Sequence, residues 1–124
     1  MTDQFNVTNE IVALLEADER LAAITGKRFF PIDAPTDTPG DFIVYQRDGY
    51  RQADTKTGIA TRTPVVLVTC VSDRYRTSQQ MASLVFDILS GTYSDPYMEI
   101  RLEDSTEDRT GKKFIQVLQF SVTI

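Results

Sequence analysis

Histidine and tryptophan are absent from this chain, and cysteine occurs once. Without histidine the commonest general base is missing, and with it the Ser-His and Cys-His nucleophile systems and the commonest metal ligand. Zinc needs a set of cysteine and histidine ligands that this composition cannot supply. The single cysteine, Cys70, permits no intrachain disulfide and suits a reducing compartment. It lies inside the apolar run Val66-Leu67-Val68-Thr69-Cys70-Val71, where a packed and inert thiol is expected. Phosphate-cradling loops are missing as well, since Gly58 and Gly91 stand outside any GxxxxGK[ST] or GxGxxG pattern. No apolar run approaches the ~20 residues that span a bilayer. The acidic, polar start Met1-Thr2-Asp3-Gln4 differs from the basic beginning of a secretory signal. A cytoplasm, or a particle assembled in one, is therefore the expected setting. Positive charge is also in deficit, with 13 basic against 18 acidic residues and a net charge of −5. That balance argues against nucleic-acid binding, where neutralising phosphates supplies most of the affinity, and against anionic membrane surfaces.

What is present is an ordinary globular composition, 41% hydrophobic and 25% charged. Its 124 residues suit one domain over 1–124, large enough for a core without staples. Ile11, Val12, Leu14 and Leu15 form one helical stripe, with Glu10 and Glu16 facing away. Asp18 reads as the N-cap of a second short helix through Leu21 and Ile24, stopped at Gly26, with a break or bend near residues 17–19. Arg28–Ile32 reads as a short strand, placed at an edge or strand end by Pro31. Residues 34–40, with two prolines and a glycine, form a loop, and Phe42–Arg47 a strand. The polar stretch Asp48–Arg62 is either a long loop or the arm of an extended hairpin. Pro64–Val71 is nearly continuous in apolar residues and reads as a strand covered on both faces.

Met81, Leu84, Val85, Ile88 and Leu89 then give the clearest helix, with Thr77 or Ser78 as its cap and Gly91 beyond its end. A turn at Ser94-Asp95-Pro96 precedes a strict alternation over 97–102. Met98, Ile100 and Leu102 share one side of it; Tyr97, Glu99 and Arg101 share the other. A charged turn from Asp104 to Gly111 leads into a last strand, Phe114–Thr123, which pairs antiparallel with its predecessor. Helices and strands segregate, so the fold class is α+β. It has a mainly antiparallel sheet of about five strands, packed by two principal helices in the order α-(α)-β-β-β-α-β-β.

Carboxylates are the remaining catalytic material. Glu103, Asp104, Glu107 and Asp108 cluster in the expected last turn but lack the DxDxDG spacing of a calcium loop. A solvated tip that discourages aggregation explains them better. Asp33, Asp37 and Asp41 flank the Pro loop and serve turn formation. No catalytic, cofactor-binding or metal-binding residue is assigned. Two clusters suit an interface instead. One is the basic patch Arg47, Arg51, Lys56 and Arg62 with Tyr50, set against Asp48 and Asp54. The other is Arg74, Tyr75 and Arg76 at the entry to the long helix, residue types typical of interface anchors. The basic stretch and the acidic turn at 103–108 carry opposite charge and are one possible complementary pair of surfaces.

Four segments, in order, carry a resemblance: LLEADERLAAITG (14–26), RFFPIDAP (28–35), FIVYQR (42–47) and VTCVSDRY (68–75). With the amphipathic helix and closing hairpin that follow, the whole chain resembles the tail-completion and tail-terminator family of long-tailed phages and related prophages. The resemblance implies a virion protein without enzymatic activity that caps the tail tube and presents a surface to the head connector. It also implies a ring, generally of six subunits, around the channel through which DNA passes. By position, residues 48–62 would be the family's variable arm and residues 33–40 a connector near the ring surface. A small α+β ligand-binding or regulatory module is the alternative, and a carboxylate-dependent enzyme the third possibility.

Overall fold

The computed structural model describes residues 3–56, 58–94 and 96–124, with Ile59 and Ala60 described through their backbone only. Asp95 of the expected turn and Thr57 of the polar stretch lie outside the described residues. The N-terminal helical region is two helices, α1 (Val7–Glu16) and α2 (Glu19–Thr25). The break falls where Asp18 leaves helical geometry and its carboxylate accepts the N–H groups of Arg20 and Leu21 at 2.9 and 3.3 Å. Two donors that a helix start leaves unsatisfied are thereby paired. Arg20 closes an ion pair on the same carboxylate at 2.9 Å, which holds Asp18 below its ordinary carboxylate range. α2 ends at Gly26, whose φ of 61° is the left-handed stop that glycine adopts without a Cβ clash.

Strand β1 (Phe29–Pro31) follows, then the Pro loop, then two long strands, β2 (Phe42–Thr55) and β3 (Gly58–Ser72). Helix α3 (Tyr75–Leu89) leads to β4 (Gly91–Ser94), β5 (Tyr97–Thr110) and β6 (Lys113–Thr123). The sheet has six strands in the order β1-β2-β3-β6-β5-β4. This corrects the expectation of about five strands, and the sheet is mixed because β1 runs parallel to β2. The intervening Pro loop carries the chain back to the starting end of the sheet. Arg28 anchors that loop through the Pro39 carbonyl at 2.6 Å, and Lys113 through the Gly40 carbonyl at 3.1 Å. Gly40 has a φ of 75°, the left-handed region that glycine adopts without strain, and a Cβ there would also displace the Arg28 guanidinium 2.8 Å away.

One open alternative is resolved, two expectations change and one strand is added. Of the two alternatives for Asp48–Arg62 the structure shows the arm of an extended hairpin: β2 and β3 pair from Phe42↔Val71 out to Thr55↔Gly58, with register shifts at Arg47/Tyr50 and Ala53/Asp54. The acidic stretch is not a turn, because β5 continues to Thr110 and only Gly111 and Lys112 turn the chain. β-Pairing to β6 satisfies that backbone despite its polar side chains. The short β4 had no apolar signature of its own; it pairs with Tyr97–Ile100, and the Tyr93 hydroxyl donates to the Ile88 carbonyl. Finally, neither Thr77 nor Ser78 caps α3. Arg74 occupies the cap position, Ser72 Oγ accepts the Arg74 N–H at 3.1 Å, and Ser78 Oγ donates to the Tyr75 carbonyl.

The three helices lie on one face of the sheet. Val7, Ile11 and Leu15 of α1, Leu21 of α2 and Met81, Val85 and Leu89 of α3 are fully buried. They pack against Val66, Val68 and Cys70 of β3, Leu118, Phe120 and Val122 of β6, and Met98 and Ile100 of β5. Register places Val44, Leu67, Thr69, Ile115 and Val117 on the other face, and all are only half-buried. β3 is thus covered on both faces at its ends, where Val65 and Val71 are buried, and only half-covered on the helix-free face at Leu67 and Thr69. The helix-free face carries an open groove of about 700 Å³ between the Pro loop and the β5–β6 turn.

Two outcomes follow from this core. Phe120→Ala should cost about 3–5 kcal/mol in chemical denaturation, since it empties a fully buried aromatic site. Burial alone pushes the Cys70 thiol up to about 12. At pH 8 a disulfide reagent should therefore leave the native chain unlabelled and react within seconds once denaturant is added; rapid labelling of the native chain would contradict this packing.

Candidate functional site

The basic patch sits on the outer half of the β2–β3 hairpin. Arg47 marks its base: the guanidinium lies 5.0 Å over the Phe5 ring, and Nη1 donates to the Gln4 carbonyl at 3.2 Å. A bulge between Arg47 and Tyr50 then shifts the register, so Tyr50 pairs with Pro64, Arg51 with Thr63 and Gln52 with Arg62. The Tyr50 hydroxyl donates to Gln52 at 2.8 Å, and the Gln52 amide donates to Asp54 at 2.8 Å, which aligns all three side chains along the helix-side face of the arm. Arg51 points to the opposite, helix-free face by the same register. Lys56 stands at the hairpin tip, and Arg51, Lys56 and Arg62 are all exposed.

Strand β5 holds the acidic cluster. A bulge between Leu102 and Asp104 opens it, after which Asp104, Thr106 and Asp108 pair with Gln119, Val117 and Ile115 on the helix-free face. Glu107 pairs with Gln116 on the helix side. Strand geometry therefore splays these carboxylates to both faces, and among the described residues no group of three His, Cys, Asp or Glu side chains could hold a metal ion. Glu103 accepts the Ser121 hydroxyl at 2.7 Å, whereas Asp104 and Asp108 accept the N–H of their own following residues.

The structure brings one pair of expected residues together. Tyr75, at the entry of α3, stacks its ring 5.6 Å from Phe114 and donates its hydroxyl to both Glu107 oxygens at 3.0 Å. Gln116 donates to the same carboxylate at 3.0 Å. Arg74 and Arg76 flank this contact as exposed residues. By contrast, the basic and acidic clusters are kept apart. β2 is second and β5 fifth in the sheet, with β3 and β6 between them, so the two clusters occupy opposite edges.

Three exposed apolar side chains escaped the sequence reading. Phe5 is 70% exposed beside Arg47, Ile32 is 73% exposed at the end of β1, and Phe86 of α3 is 44% exposed. Ile32 has a φ of 67°, a region that β-branched residues rarely adopt. The Asp33 N–H bonds back to the Pro31 carbonyl at 2.7 Å across it, closing a tight turn that holds the side chain outward. Phe5 and Phe86 had a usable signal: they lie outside the Val7-Ile11-Leu15 and Met81-Val85-Leu89 stripes.

One layer of helices on one face of a six-stranded, mostly antiparallel sheet defines the fold. A chain in the solved structure "Virion of native gene transfer agent (GTA) particle" shares it, with a TM-score of 0.76 and 18% identity over 91% of this chain and 90% of that one. No family model and no curated protein matches the sequence. No helix among the described residues is long and apolar enough to cross a membrane.

The Tyr75–Glu107 bond has a measurable signature. Donation to the carboxylate, with smaller contributions from burial and from the negative charge itself, raises the Tyr75 ionisation point above its ordinary value. The stabilisation it gives is complete below the unfolded tyrosine value of about 10 and is lost as pH rises through the folded value. NMR titration of the Tyr75 ring should show Glu107→Gln bringing its midpoint back down. An unchanged midpoint would mean the bond does not form in solution.

Proposed function

We propose that this protein is a structural component of a virion, without enzymatic activity, that assembles as a ring to cap a tail tube and join it to the head connector. The observation that carries the reading is the fold it shares, over nearly its full length, with a chain of a gene transfer agent virion. The resemblance of its segments to tail-terminator proteins supplies the finer role, the sixfold ring, and the tail tube and head connector as partners. Such a protein would be assembled in the cytoplasm of a bacterial host and reside in the virion.

The molecular surface supports an assembling role. Half-exposed Val44, Leu67, Ile115 and Val117 form an apolar sheet face that no helix among the described residues covers. Contiguous apolar surface of this kind marks a contact site on a folded protein. Opposed charged edges provide two unlike patches, as head-to-tail association requires. A net charge of −5 also suits a channel through which DNA passes without being held.

The groove of about 700 Å³ favours a second reading, a ligand-binding module, because Phe42, Val71 and Ile115 meet Asp33 and Lys113 along its walls. Sedimentation over a concentration series, with electron microscopy of the heaviest species and addition of purified tail tubes, separates the two. Closed rings, or density at tube ends, are expected from the assembly role. A monomer that ignores tube ends but melts at higher temperature with a small apolar acid would instead establish the ligand module.

A further inference from the structure

We infer that neighbouring subunits join by edge-to-edge strand pairing, the outer half of β2 in one copy adding to the outer half of β5 in the next. The inference rests on the ring reading above and names the contact that builds it. β1 pairs with β2 only over Ile43–Tyr45, and β4 pairs with β5 only over Tyr97–Ile100. Among the described residues no strand lies against the outer side of residues 46–54 or of residues 101–110. Each stretch is therefore a free sheet edge, whose outward N–H and C=O groups are a template for another strand. Each also begins with a bulge, at Arg47/Tyr50 and at Leu102/Asp104; beyond it β5 pairs regularly to Thr110, and β2 pairs regularly over Tyr50–Ala53 before a second shift at Ala53/Asp54. Bulges bend and twist an edge, so the regular stretches beyond them are the ones that fit a partner.

Charge decides which edge meets which. The β2–β3 arm carries Arg47 and Arg51 on β2, Lys56 at its tip and Arg62 on β3, against Asp48 and Asp54; the β5 edge carries Glu103, Asp104, Glu107 and Asp108 against Arg101 and Arg109. Like edges repel, which disfavours a twofold dimer through either one. Unlike edges attract, and contact between two different patches propagates head to tail until it closes. The match holds on both faces of a continued sheet. On the helix-free face Arg51 of one copy meets Asp104 and Asp108 of the next; on the helix side Arg47 meets Glu107, with Arg62 one strand further in.

The helix layer repeats the asymmetry. Phe5 projects beside Arg47 at the basic edge, 70% exposed. At the acidic edge Ala82, Phe86, Leu102 and Leu118 border a hollow of about 280 Å³. A continued sheet would carry the projecting ring of one subunit toward the apolar hollow of its neighbour.

Charge reversal tests the pairing. Asp104→Lys with Asp108→Lys, and Arg51→Glu with Arg62→Glu, should each raise the concentration needed for assembly by roughly tenfold or more at low salt. The chain carrying all four changes should recover most of that loss, because the reversed edges are again complementary. Circular dichroism and thermal melting confirm that each variant folds. A second variant, Ala53→Cys with Thr106→Cys, places one thiol on each edge while buried Cys70 stays silent. A short bismaleimide should link it into a ladder of chains. If the wild type forms rings and both reversed chains assemble as readily as it does, or the double-cysteine variant forms rings but does not cross-link, the edge pairing is overturned and the ring reading stands. A wild-type chain that stays monomeric at every concentration and ignores tube ends overturns both.

Discussion

The pairing of β3 with β6 is the contact on which the other elements hang. Eight registered pairs, from Val65↔Ser121 to Ser72↔Phe114, join the two hairpins of the chain into one sheet. Even-numbered residues on both strands face the helices, so Val66, Val68 and Cys70 lie beside Phe120, Leu118 and Gln116. Slipping this register by one residue would turn the buried row outward and leave α3 without a surface. Each fully buried aliphatic or aromatic side chain in that row is worth roughly 1.5–3 kcal/mol, and none of it is available without the pairing. The polar Gln116 is tolerated in the row because its amide reaches Ser78 and Glu107 at 3.4 and 3.0 Å.

From that pair the hairpins project in opposite directions. β3 carries β2 outward beyond the end of β6, whereas β6 keeps the polar half of β5 alongside the sheet. The backbone of each polar half-strand is satisfied on its inner side by a well-anchored partner. Side chains there are free to serve the surface, which is why sequences with no apolar period still lie in strands.

The elements that bury an apolar stripe were legible from spacing alone. The Met81-Val85-Leu89 row, the Met98-Ile100 alternation and the β6 face all lie where their periodicity puts them, and Asp18 and Gly26 bound α2 through local hydrogen bonding and backbone preference. What escaped reading depends on partners distant in sequence. Asp104–Thr110 looks like a turn until β6 pairs with it, and β4 is a strand only because Tyr97–Ile100 lies beside it. The unlike charges of residues 47–62 and 103–108 were visible as composition. Their placement on opposite edges was not, because it follows from strand order. Ile32 could not have been found at all, since its outward pose comes from a turn closed by Pro31 and Asp33.

Opposite charge on the two edges also gives the isolated subunit an electric dipole lying across its strands. The Debye length is about 8 Å in physiological salt, so the field of one edge is felt just before contact and hardly beyond. Within that distance a subunit arriving edge-on experiences a torque that turns its unlike side inward, while one arriving face-on experiences almost none. The separation of charge thus acts as a rotational filter on encounters. It raises the productive fraction of collisions without deepening the final contact, and it fades as ionic strength rises.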